Sequence, residues 1–313
     1  MKSFQKRNIC PKLEMLEPGE HLAYPVRQHI GKDAEIVVNI GDRVLEGQIL
    51  AKGGTLSVSA NVHASVSGIV SDIKQVTTLG GQPVRAVIIK NDGRYEVLSQ
   101  SEKNKKKRIF DKMSSDEIIN AVYNAGIVGM GGAGFPTHIK LSNDRESIRY
   151  IIINGAECEP YISVDHRLML CESDRLICGI QILLKLFCNA LAVIVIEDDK
   201  MDAVKLLAEK TKSNNNIDIK VIKSGYPKGA ERQLVNAVTK KRLAMGKLPS
   251  EAGCIVCNAA TVTEICRAVV EAEPFIKRIV TVTGDAVPES HNYLVRIGTD
   301  IGTVIQAARV KKE

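Results

Sequence analysis

The sequence predicts a multidomain α/β protein: a small antiparallel β module, a central open α/β domain, and a partial β module at the C-terminus. Three patterns carry that reading. Short β-branched runs punctuated by glycine fill residues 36–73. From residue 150 onward, buried-strand runs alternate with helical stretches, the pattern of a mainly parallel sheet. Residues 274–313 hold one hairpin pattern and one helix start. With 313 residues, 44% hydrophobic and 25% charged, the chain can build two or three full cores.

The first module is read from IVVNIGDRVLEGQILAKGG and LSVSANVHASVSGIVSDI. Tight turns are expected at Gly41-Asp42 and at Gly68, joining short antiparallel strands. The pattern resembles the lipoyl/biotinyl barrel-sandwich, and residues 1–100 are assigned to it. Carrier versions modify a lysine on an exposed hairpin. No lysine lies between Lys52 and Lys74, so the module is expected to be structural or to dock partners. Residues 101–108, with the run KNKKKR at 103–108, read as a solvated basic linker.

The segment 109–273 forms the central domain. Ser114 or Ser115 caps a helix with Asp116 and Glu117 in its first turn, and Gly126 marks its end. GMGGAGFPTHIKL follows at 129–141, and Pro136 suits the start of a further helix. Tyr150–Ile153 is a buried strand ending at Asn154-Gly155. A helix is expected through DHRLMLCESDRLICGIQILLKLF, then the strand LAVIVIED, the helix MDAVKLLAEKTK and the strand IDIKVIK. Ligands in such sheets sit outside the carboxyl ends of the strands, which here means Asn154–Glu159 and Ser224–Glu231. In 274–313, IVTVTGDAVPESHNYLVRIG reads as a hairpin and IGTVIQAARV as a helix start.

Composition excludes several functions. Net charge is +7, from 43 Lys plus Arg against 36 Asp plus Glu, but aromatics are 4% and Trp is absent. Base-stacking platforms are therefore missing and a nucleic-acid function is excluded. No apolar run approaches the roughly 20 residues that span a bilayer. The N-terminus lacks the apolar core of a secretory signal. The chain reads as cytoplasmic, with any membrane association made through partner proteins.

Eight cysteines are scattered at 10, 158, 171, 178, 188, 254, 257 and 266, without a ferredoxin-type cluster motif. Structural disulfides are not expected in a cytosolic chain. Cys254-Ile-Val-Cys257 leaves three readings: a buried inert pair, a redox dithiol, or half a metal site with Cys266. The inert pair is favoured, and no nearby histidine completes a zinc set, so no metal site is assigned. Cys171, Cys178 and Cys188 read as packing residues, and Cys158, within ECEP, is given no ligand role. His63, His138 and His166 read as satisfied structural groups.

The glycine segment contains a literal G-x-G-x-x-G in Gly129, Gly131 and Gly134. It follows a helix and not a strand, which argues against a dinucleotide-binding turn. Four glycines in six positions can gather several N–H groups around one anion, and Lys140 adds a full charge. A flexible surface loop is the alternative.

GMGGAGFPTHIKL, then IIINGAECEPYISVDHRLML, then Tyr226–Glu231 and CNAAT at 257–261 resemble one family in order and spacing. That family is RnfC, the electron-input subunit of the Rnf complex, related to the flavoprotein subunit of respiratory complex I. The resemblance covers residues 20–305. It implies flavin mononucleotide (FMN) as cofactor and NAD(H) as hydride partner. It implies that Gly129, Gly131, Gly132 and Lys140 hold the FMN phosphate and ribityl chain. Asn154 and Glu157 would hold isoalloxazine or ribityl polar atoms, Tyr226 would also line the flavin, and Asn258 and Thr261 would reach the phosphate from the other side. Phe135 would stack on the nicotinamide or adenine, with Glu159 and Glu231 on NADH hydroxyls. No side chain is assigned acid–base catalysis. The resemblance also implies an SLBB-like β-grasp at 274–313, and iron–sulfur clusters beyond the module seen here. The chain has no motif for them and reads as truncated before that region.

The implied activity is NAD(H) oxidation or reduction through FMN in a ferredoxin:NAD oxidoreductase coupled to ion translocation. Its partners would be other subunits of a membrane complex and, indirectly, a ferredoxin-type carrier, on the inner face of the cell membrane. Two alternatives stay open. One is a soluble RnfC-like protein feeding a cytosolic reductase, which predicts a working Cys254/Cys257 dithiol; the other is a flavin-free docking module.

Overall fold

The computed structural model describes residues 12–310, apart from 56, 79, 99–107 and 143. Cys10 and nearly all of the basic linker lie outside the described residues. The chain divides into two compact units, one holding 13–139 with 267–313 and the other 140–266.

In the first unit, β1 spans Leu13–Met15, β2 His21–Pro25, β3 Glu35–Ile36 and β4 Arg43–Val44. It continues with β5 Ile49–Lys52, β6 Val62–His63, β7 Gly68–Thr77 and β8 Pro83–Asn91. These strands form two antiparallel sheets, β2-β8-β7-β4 and β3-β5-β6, closing on a core that includes Leu22, Tyr24, Leu50, Val70 and Ile89. The buried Tyr24 hydroxyl bonds Ser65 Oγ at 2.8 Å, and burial pushes its pKa up to about 12. Gly41 makes the expected turn at φ +94°. Gly68 does not: it opens β7, already paired with Val44 and Asn91, and a Cβ there would stand 2.1 Å from the Lys90 carbonyl. Glycine is needed there for the close approach of two strands, not for a bend.

The helix α1 spans Ser115–Asn124, and Ser114 with Glu117 forms a full capping box. It belongs to the same compact unit as the β module, so the compact units cut across the expected 109–273 segment. Asn61 Nδ2 donates to the Tyr123 carbonyl at 3.2 Å, and the Tyr123 hydroxyl donates to the Gly53 carbonyl at 2.6 Å. A short helix α2, Thr137–Leu141, then crosses the unit boundary between Ile139 and Lys140.

The second unit contains β9 Tyr150–Gly155, α3 Val164–Cys171, α4 Ser173–Leu186, β10 Leu191–Glu197 and α5 Met201–Thr211. It ends with β11 Ile217–Ile222, α6 Glu231–Thr239, β12 Cys254–Asn258 and α7 Ala259–Cys266. The single helix expected between β9 and β10 is therefore two, broken at Glu172. The sheet is wholly parallel, in the order β11-β10-β9-β12. Chain order thus runs outward from β9 to β11 and then reverses to place β12 on the other side of β9. Helices α3, α4, α5 and α7 pack on one another, whereas α6 packs on β9 and β12 through Leu234 and Val235.

Helices α4 and α7 cross so closely that a Cβ on Gly179 would lie 2.1 Å from the Val262 carbonyl. Gly179→Ala is expected to cost about 1–3 kcal/mol, as overpacking does. Urea denaturation checks this, and an unchanged midpoint would refute the close crossing.

The first unit is completed by β13 Lys277–Val282, β14 His291–Arg296 and α8 Ile301–Ala307. The hairpin is as expected; β1, which pairs parallel to β14, has no local signal. Buried Arg296 donates to Glu46 Oε2 at 2.8 Å and to the Ser65 carbonyl, and stacks over Tyr95 at 4.3 Å. That cluster ties hairpin to β module.

Candidate functional site

The glycine segment is a closed loop. Its stem is the bridge between Val128 and Pro136, with Gly129 N donating to the Phe135 carbonyl at 2.8 Å and Thr137 N to the Ile127 carbonyl at 2.9 Å. Three loop carbonyls are spent: Phe135 within the stem, Gly134 on Ile30 N at 3.1 Å, and Met130 on Arg278 Nη2 at 3.0 Å. The amides are not. Among the described residues, no protein acceptor meets the N–H of Gly131, Gly132, Ala133, Gly134 or Phe135 in hydrogen-bond geometry. Gly132 sits at φ +117° with nothing within 4 Å of where a Cβ would point. Five unspent donors on a side-chain-poor backbone suit an anion with several oxygens. Phe135 is half-buried at the end of the loop.

In the 140–266 unit, Asn154 and Asn258 are register partners at the carboxyl ends of β9 and β12. This is where the order of strands reverses, the position at which open α/β sheets bind ligands. Asn154 Oδ1 accepts from Ala156 N at 3.1 Å and its Nδ2 donates to the Gly229 carbonyl at 3.0 Å. Asn258 Oδ1 accepts from Ala260 N at 3.0 Å, capping α7, and its Nδ2 donates to Asp165 Oδ2 at 2.6 Å. Both amides are therefore locked in orientation. Each keeps one N–H and one lone pair for a ligand.

Glu157, 4% exposed, accepts from Asp165 N at 3.0 Å and His166 N at 3.4 Å. Its carboxylate thus caps α3 in place of Ser163, whose side chain makes no cap. A buried anion at a helix N-terminus is favoured by the helix dipole and the orphan amides. Thr261 is buried in the first turn of α7. Lys140 Nζ donates to the Val256 carbonyl at 2.8 Å and reaches Glu231 Oε1 at 3.4 Å. Val256 belongs to β12, an edge strand, so the ammonium supplies a donor the sheet does not. Glu159 is exposed, and Tyr226 is 75% exposed on the segment after β11.

The structure thus groups Asn154, Glu157, Asn258, Lys140 and Glu231 in bonded sets around the switch point of one unit. Gly129, Gly131, Gly132 and Phe135 share the loop of the other. Asp165 and Gly229, which fix the Asn258 and Asn154 amides, are positions that sequence reasoning does not find. Each acts through a partner many residues away, with no local signature.

Cys254 and Cys257 lie on one strand three residues apart, hence on opposite faces. Cys254 clusters with Leu234 and Val235 under α6. Burial pushes its thiol up to about 11 and raises Cys257 as well. The pair cannot close into a disulfide, which removes the dithiol that the soluble-reductase alternative requires.

Residues 122–267 match the Nuo51 FMN-binding domain, and residues 5–94 match the RnfC barrel sandwich hybrid domain. A subunit of the proton-translocating ferredoxin:NAD(+) oxidoreductase complex of Clostridium ljungdahlii is 40% identical over 276 residues, 88% of this chain and 59% of that protein. A subunit of the ion-translocating oxidoreductase complex of Haemophilus influenzae strain Rd is 37% identical over 298 residues, 95% of this chain and 36% of that one. A subunit of the Na(+)-translocating ferredoxin:NAD(+) oxidoreductase complex of Acetobacterium woodii is 35% identical over 287 residues, 91% of this chain and 64% of that one. The chain therefore spans about a third to two thirds of the length of these relatives. Air-oxidised NAD+-reducing [NiFe]-hydrogenase shares the fold at a TM-score of 0.57 and 23% identity, over 67% of this chain and 41% of that chain. With an RnfC barrel-sandwich segment followed by a Nuo51-type FMN-binding domain, the chain belongs to the RnfC family.

Proposed function

We propose that this chain binds FMN and exchanges electrons with NAD(H) as part of a ferredoxin:NAD oxidoreductase complex that translocates ions. The observation that carries the reading is the content of one matched stretch of sequence. The matched FMN-binding domain, 122–267, holds both the loop with five unspent amides and the locked asparagine pair. Bound FMN supplies the chemistry side chains lack, taking up two electrons as hydride and releasing them singly.

The chain's share is binding and orientation. Gly131 and Gly132 offer amides to the phosphate and ribityl chain, Gly129 shapes the stem because its own N–H is spent on the Phe135 carbonyl, and Lys140 offers its ammonium to the phosphate. Asn154 presents one fixed N–H to isoalloxazine or ribityl polar atoms, and Asn258 presents one to the phosphate, with Thr261 in the first turn of α7 as its companion. Glu157 is better placed to hold α3, and through it Asp165 and Asn258, than to touch the flavin. Tyr226 and Phe135 supply aromatic faces, and Glu159 and Glu231 supply acceptors for NADH hydroxyls. The C-terminal hairpin, with β1 and α8, is proposed as part of an SLBB-like β-grasp. Among the described residues no helix is long and apolar enough to cross a membrane. Association with the inner face of the membrane is therefore proposed to run through partner subunits.

Anaerobic reconstitution tests the reading. Purified chain mixed with FMN and desalted is expected to retain the yellow flavin spectrum, and NADH to bleach it. A chain that stays colourless after reconstitution would support the flavin-free docking alternative instead.

A further inference from the structure

We propose that Glu197 and Asp198, with Lys200 as counter-ion, form a brace that positions the Ser224–Glu231 segment for NAD(H). This rests on the function proposed above, in which that segment carries Tyr226 and Glu231.

Glu197, the last residue of β10, is fully buried. Its Oε1 accepts from Gly225 N at 3.2 Å and its Oε2 from Lys200 Nζ at 2.9 Å. Lys200 is 3% exposed and also bonds Asp199 Oδ1 at 2.9 Å. Burial alone would depress the lysine, but the bonds to Asp199 and Glu197 hold it above its ordinary value. Asp198 accepts from Ser224 N at 2.8 Å, and its own N–H donates to the Ile222 carbonyl at 2.9 Å. Downstream, Asn154 fixes the Gly229 carbonyl, and a Cβ on Gly229 would stand 2.5 Å from the Ala156 carbonyl. Between these anchors the segment closes on itself through Lys228 N to the Gly225 carbonyl at 2.9 Å and Ala230 N to the Pro227 carbonyl at 3.1 Å.

Backbone pinned at 224, 225 and 229 nonetheless presents Tyr226 with 75% of its surface in water. Stability gives no reason for that arrangement. Burying an ion group carries a desolvation penalty, and an exposed tyrosine forgoes its apolar burial. An exposed ring on a pinned segment that also carries the Glu231 carboxylate suits a planar, hydroxyl-bearing ligand that enters from solvent. NAD(H) is such a ligand.

The test uses FMN-loaded full chain mixed with NADH in a stopped-flow instrument. Half-saturating NADH concentration and limiting rate of flavin bleaching are read separately. Hydrogen exchange over 224–231 monitors the brace. D198A removes the Ser224 acceptor without burying a charge. E197M/K200M removes the Gly225 acceptor together with its counter-ion, whereas E197Q/K200M keeps an oxygen for Gly225 N.

D198A and E197M/K200M are expected to speed exchange over 224–231 and to raise half-saturating NADH by about fivefold or more, with the limiting rate nearly unchanged, as for lost uniform binding. E197Q/K200M is expected to stay near wild type. Faster exchange with unchanged NADH saturation would overturn the positioning role, as would equal impairment of both double variants. Failure of NADH to bleach the wild-type flavin at all would instead sink the underlying function.

Discussion

Replacing Lys140 with alanine is expected to weaken FMN binding by about 10- to 150-fold, equivalent to about 1.5–3 kcal/mol for a lost charge-assisted contact. Equilibrium titration followed by flavin fluorescence measures it. The ammonium lies between the Val256 carbonyl and Glu231, with the side chain 29% exposed. The Glu231 pair is half in water and contributes at most about 1 kcal/mol to folding. Lys140→Ala should therefore unload the cofactor without unfolding the chain. Glu231→Gln makes the complementary test. It removes the competing carboxylate, so FMN should bind as well as before or better, while half-saturating NADH rises. Unchanged FMN affinity in Lys140→Ala would show that the ammonium does not meet the phosphate.

Acid is expected to destabilise the protein by roughly 3 kcal/mol through His63 alone, at about 1.4 kcal/mol per pH decade. Burial lowers the pKa of this ring from 6.5 to about 4, against a weaker opposing bond with the Asn124 backbone. The unfolded chain takes up a proton near pH 6.5, whereas folded His63 stays neutral down to about pH 4. The unfolded state therefore binds more protons between those values. The contribution is fully present above pH 6.5 and is lost as pH falls to about 4. His29 is lowered in the same direction, also chiefly by burial. The two rings line one small cavity with no carboxylate in its wall, and neither Nδ1 has a partner there. Urea unfolding at stepped pH values checks this. His63→Gln should flatten the slope between pH 6.5 and 4, leaving the residue from His29; an unflattened slope would remove His63 from the account.

Much of the fold is legible in the sequence. β-Branched runs mark β9, β10 and β11 to within two residues, because buried parallel strands need no alternation. Ser114 and Gly126 bound α1 because caps are local chemistry. The placement of the glycine loop after a helix is enough to exclude a Rossmann turn. Long-range pairings are what local pattern does not carry. Nothing in LEM at 13–15 says that it joins β14, and nothing in Asp165 announces a bond to Asn258 across the sheet end. Gly68 reads as a turn because a glycine required by a neighbouring backbone looks the same in sequence as one required by positive φ. The break at Glu172 is invisible since ESD reads as ordinary helix surface. The family resemblance gives Glu157 to the flavin; its oxygens point at the amides of α3, a role that depends on a fold-back of eight residues.

The central claim is that a glycine loop and a lysine recognise a phosphoryl group. Comparing FMN with riboflavin, the same ring and ribityl chain without phosphate, tests it most directly. Isothermal titration of the apoprotein should show FMN binding at least about 100-fold tighter than riboflavin, since several charge-assisted bonds of about 1.5–3 kcal/mol are at stake. That advantage should shrink in Lys140→Ala. Equal affinity for the two flavins would contradict the account.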